Sequence, residues 1–174
     1  TMLMSVGCKG GKSTENKKGR YIEEQYELPI TTVSSITQLE SGDFISVGST
    51  EDGKLAKLTS TDGGKTWENQ DIELSKAEGF KTIIKEIKAF ANGEIIVSYV
   101  EVKGDETKLK VAKVDNSNAV TDLNTNLGIE DGSQIYVGNF KLANNGDIFY
   151  INEDTLVQLD GETLEEKNNY DGVI

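Results

Sequence analysis

Histidine is absent from this chain, and arginine occurs once, at Arg20. Without histidine there is no Ser-His-Asp or Cys-His nucleophile and no His-ligated metal in these 174 residues. The single cysteine, Cys8, leaves nothing to pair with in an internal disulfide. No apolar run approaches the roughly 20 residues a membrane-spanning helix needs. Helical periodicity is missing too. Ser75 to Ile87 comes closest, but Gly79 interrupts it and Ile83-Ile84 are β-branched. Basic residues are in deficit, 18 against 30 acids, for a net charge of −12. That balance excludes nucleic acid as a natural partner, because phosphates are held by Lys and Arg. It also disfavours direct contact with an anionic membrane surface. It suits cationic partners, or simple solubility.

The most informative segment present is Ser60-Thr61-Asp62-Gly63-Gly64-Lys65-Thr66-Trp67. Leu55 to Ser60 reads as a strand, and Thr66 begins the next. Asp62 can accept N–H groups of its own turn, Gly63 and Gly64 tolerate positive φ, and Ser60 and Thr66 can add hydroxyl bonds. Trp67 can cover the turn with an apolar ring. An ordinary Asp-Gly-Gly hairpin ending in Trp is the simpler alternative. The segment fits Ser/Thr-x-Asp-x-Gly-x-Thr-Trp, a pattern met by chance in on the order of one chain in ten thousand. It resembles the Asp box of sialidase-type β-propellers, also called BNR repeats. The resemblance implies an architecture and not a reaction, since in that family the box locks a turn away from the active site. Its members here would be Ser60, Asp62, Gly64, Thr66 and Trp67.

Three segments repeat a second pattern. Gln38 to Ile45, Ala89 to Ile96 and Leu142 to Phe149 each hold a turn ending in glycine, then an acid, then two large apolar residues. The glycines are Gly42, Gly93 and Gly146, spaced 51 and 53 residues apart. Strand-rich repeats of that period are what propeller blades look like in sequence. Each repeat parses into four strands: Val33–Leu39, Phe44–Ser49, Leu55–Ser60 and Thr66–Leu74 in the first. The second gives Ile83–Phe90, Ile95–Val102, Leu109–Val114 and Ala119–Leu123. The third gives Tyr136–Leu142, Ile148–Ile151, Leu156–Leu159 and Leu164–Lys167. The second strand of each is the most continuously apolar, as a strand buried on both faces would be. The fold expected is all-β: a partial β-propeller over 21–174, with four-stranded antiparallel blades at about 33–74, 83–127 and 135–170. Whole propellers carry four to eight blades, so a segment of a longer protein is expected, with apolar blade faces left bare.

Met2-Leu3-Met4-Ser5-Val6-Gly7-Cys8 resembles the end of a bacterial lipoprotein signal peptide, with Cys8 as the lipid attachment point. The alternative is a free cysteine in a tail. On the first reading, 1–7 is a signal-peptide remnant and 8–20, polar and Gly/Lys-rich, is a flexible tether expected to lack structure. A Cys bearing several acyl chains anchors stably to a membrane. The protein would then lie outside the cytoplasm, lipid-anchored at the cell surface.

Propeller geometry places the Asp box on one rim and the loops between second and third strands on the other, where the family usually binds ligands. Those loops carry Asp52, Asp105 and Glu153-Asp154. Such acids can converge on a cationic group or a calcium ion, or they can be solvated turns. No segment has calcium-loop spacing. Tyr99, Tyr136 and Tyr150 read as strand residues packed between sheets. Sialidases hold their substrate's carboxylate with three arginines and open with Arg-Ile-Pro, whereas the nearest segment here is Glu27-Leu28-Pro29-Ile30. The expectation is therefore a non-catalytic surface lipoprotein that binds a protein or carbohydrate, without a cofactor. The alternative is part of a secreted sialidase-like glycoside hydrolase whose catalytic residues lie in other blades.

Overall fold

A computed structural model describes residues 2–6, 24–28, 30–129, 140–152 and 154–172. Among these the regular structure is strand throughout, with no helix. The first two strands, β1 (Met2–Val6) and β2 (Glu24–Leu28), pair antiparallel with Met4 opposite Tyr26. Structure was not expected at Met2–Val6. The run is uncharged and free of proline, so its backbone can form a ladder once a partner strand is supplied. Cys8 and the segment Lys9 to Arg20 lie outside the described residues.

Twelve further strands form three four-stranded sheets, each antiparallel and each joined in sequence order. The first contains β3 (Thr32–Gln38), β4 (Phe44–Ser49), β5 (Leu55–Ser60) and β6 (Glu68–Ile72). The second contains β7 (Lys81–Ala89), β8 (Ile95–Lys103), β9 (Glu106–Val114) and β10 (Val120–Asp122). The third contains β11 (Phe140–Leu142), β12 (Ile148–Asn152), β13 (Thr155–Leu159) and β14 (Glu166–Tyr170). The expected β4 and β5 have the observed bounds, and most others differ at their ends. The main departure is β14, which starts at Glu166 rather than Leu164. Leu164 is at φ 62°, a left-handed conformation that lengthens the preceding turn. Residues 136–139 of the expected third-sheet first strand lie outside the described set.

The repeated turn is the same object three times. Gly42, Gly93 and Gly146 sit at φ 93°, 88° and 92°, a region that favours glycine. In each turn the glycine N–H donates to the carbonyl three residues back, at Leu39, Phe90 and Ala143, over 2.9 Å. In each, the side chain before the glycine bonds the acid after it: Ser41 to Asp43, Asn92 to Glu94 and Asn145 to Asp147, at 2.9–3.0 Å.

Two apolar layers lie between the sheets. Ile45, Val47, Leu55 and Ile72 of the first sheet pack against Ile87, Ile95, Val97, Tyr99 and Val114 of the second. The opposite face of the second sheet, with Ile96, Val100, Leu109 and Val111, packs against Phe140, Ile148, Tyr150, Val157 and Leu159 of the third. Hence β8 is buried along nearly its whole length, whereas β12 buries only alternate residues. Each fully buried Ile, Val or Leu in these layers contributes roughly 1.5–3 kcal/mol relative to exposure. Tyr99 and Tyr150 are packed within the layers as expected; Tyr136 is outside the described residues.

Candidate functional site

The turn between β5 and β6 is locked by its own side chains. Asp62 Oδ1 accepts the N–H groups of Lys65 and Thr66, each at 2.9 Å. Its Oδ2 accepts the Thr66 hydroxyl at 2.7 Å, and Ser60 Oγ donates to Oδ1 at 2.9 Å. Ser60 Oγ itself accepts the Gly64 N–H, and Trp67 Nε1 donates to the Gly64 carbonyl at 3.1 Å. Gly63 and Gly64 take φ 77° and 89°. The Thr66 N–H and hydroxyl, more than the other donors, hold the Asp62 carboxyl down at about 2. These six donors are spent within the turn, so this is a structural device. The equivalent turns use one aspartate each in the same way. Asp115 accepts from Ser117 and Ala119, and Asp160 from Glu162 and Thr163.

Asp52, Asp105 and Asp154 stand on three separate turns, all exposed. Asp52 takes the Thr50 hydroxyl at 2.6 Å, and Lys54 lies 3.8 Å away. That hydroxyl is the main reason its carboxyl sits below the usual range. Among the described residues, no group of three or more His, Cys, Asp or Glu side chains is placed to hold a metal ion. Glu153 is outside the described residues.

A different place collects residues from all three sheets. The first strands lie side by side, β7 touching both β3 and β11. Along them runs a groove of about 410 Å³, lined by Ser34 and Ser35 of β3, Lys85, Glu86 and Lys88 of β7, and Lys141 of β11, among others. Hydrogen bonds pin the strands to one another. Thr37 Oγ1 donates to the Ala89 carbonyl at 3.1 Å, and Lys88 Nζ donates to the Asn144 carbonyl at 2.8 Å. Glu86 accepts the Leu142 N–H at 2.6 Å and pairs with Lys141.

Both β3 and β7 break register beside this groove, between Val33 and Ser35 and between Ile84 and Glu86. The extra residues are Ser34 and Lys85. They hold the same place in their repeats, since Ser34 precedes Gly42 by the spacing at which Lys85 precedes Gly93. A bulge takes its extra residue out of the ladder and re-aims its side chain. Sequence reasoning placed candidate sites on acidic loops and passed over this groove. The signal available was the lysines of two first strands, Lys81, Lys85 and Lys88 on β7 and Lys141 on β11. The chain matches no protein-family model and no curated protein.

Proposed function

We propose that the chain is part of an Asp-box β-propeller that binds a protein or carbohydrate without transforming it. In this reading the protein is held outside a bacterial cytoplasm by lipid on Cys8, its sole contact with the membrane. Three successive four-stranded antiparallel sheets with apolar layers between them support the architecture. The self-satisfied turn at Ser60–Trp67 supports the Asp-box assignment. The observation that carries the binding role is the convergence of β3, β7 and β11 on one polar groove. Its cations are lysines. Bidentate capture of a carboxylate, which the sialidase reaction relies on, needs guanidinium forks that the groove does not have.

Arrays of glycans and peptides probed with the purified protein and with a Ser34→Val/Lys85→Met double variant test this reading. The parent should retain a defined subset that the variant loses, with no turnover of a fluorogenic sialoside. Turnover, or binding indifferent to the double variant, would contradict it.

A further inference from the structure

Charge along the groove runs opposite to that of the molecule. The chain carries −12 overall, yet the groove presents Lys85, Lys88 and Lys141 against Glu86 alone. Two of these ammonium groups are already engaged, Lys141 with Glu86 and Lys88 with the Asn144 carbonyl. Lys85 is not: it makes no hydrogen bond or ion pair among the described residues. The Ser34 and Ser35 hydroxyls beside it likewise make none there. Ser34 and Lys85 are the extra residues of two equivalent bulges. Bulges occur at sheet edges and beside functional sites, where they re-aim a side chain, and both of these present a polar side chain to one shared groove.

We propose that this groove binds a small organic carboxylate, received by the Lys85 ammonium and the Ser34 and Ser35 hydroxyls. The proposal rests on the reading of the protein as a binding module and names the chemistry of its ligand. An ammonium favours an anion, and two hydroxyls can donate to the oxygens of a single carboxylate. Glu86 limits the charge that the groove accepts. Its carboxylate faces the same space, so a phosphate dianion meets more repulsion there than a carboxylate does. The volume suits a small carboxylate, free or carried as one residue or sugar of a larger ligand.

Amide shifts of ¹⁵N-labelled protein, titrated with glutarate and separately with the neutral glutaramide, test the proposal. Glutarate should move the amides of Ser34, Ser35, Lys85 and Glu86 saturably, and added salt should weaken it. Lys85→Met and Lys85→Gln should each weaken it roughly tenfold, the loss expected for one charge-assisted hydrogen bond. Lys65→Met, on the turn after β5, should leave it unchanged. Undiminished affinity in both Lys85 variants, or shifts scattered over other lysines, overturns the proposal. Equal shifts with glutaramide overturn the carboxylate but keep the groove as a binding place, so the module reading survives. Glutarate shifts in the groove without retention of any array ligand support the carboxylate and remove the protein or carbohydrate ligand from the proposed function.

Discussion

Gly161 lies so close to Gly146 that a Cβ on Gly161 would stand 1.9 Å from the Gly146 carbonyl oxygen. The contact joins the first and last turns of the third sheet, and the ring of Phe90, from the second sheet, closes over both glycines. Gly161 needs no unusual φ, so its requirement is room alone. Gly161→Ala should destabilise the protein by about 1–3 kcal/mol through overpacking, and Phe90→Ala by about 3–5 kcal/mol. Urea denaturation of the single and double variants checks this. Because the residues touch, the two losses should not add.

The Asp62 turn has a pH signature. Its folded carboxyl titrates near 2, against 3.8 for the free group. A depressed carboxylate contributes stability that is full above about pH 4 and is lost as the pH falls through 2. Asp62→Asn should therefore lower the melting temperature at pH 7 and flatten its fall between pH 4 and 2, with ligand binding unaltered. Thermal melts across that range are the check; an unchanged acid limb would remove Asp62 from its turn-locking role.

These turns were legible because they are local. Gly42, Gly93 and Gly146 each need positive φ, and Asp62, Asp115 and Asp160 each satisfy N–H groups within four residues. The strands β4, β8 and β12 declared themselves through apolar runs. The groove did not. Its shape comes from register shifts after Val33 and Ile84, and a bulge follows from cross-strand pairing that local composition does not encode. Asn124 was passed over for a similar reason. It is buried two residues past β10, against the middle of β9, where Oδ1 accepts the Val111 N–H and Nδ2 donates to the Leu109 carbonyl. An asparagine that imitates a strand's backbone reads in sequence as a turn residue.

Lipid attachment at Cys8 is tested in the full-length precursor expressed in a bacterium with labelled palmitate. The label should enter the parent protein and be lost in Cys8→Ala. Label retained by the variant would contradict the anchor and leave the cell-surface assignment without support.

The most direct measurement is a crystal structure of the protein grown with a ligand retained on the array. The account predicts ligand density between β3, β7 and β11, within hydrogen-bond distance of Ser34 and Lys85. Density instead on the turns that carry Asp52, Asp105 and Asp154, with the groove empty, would contradict it.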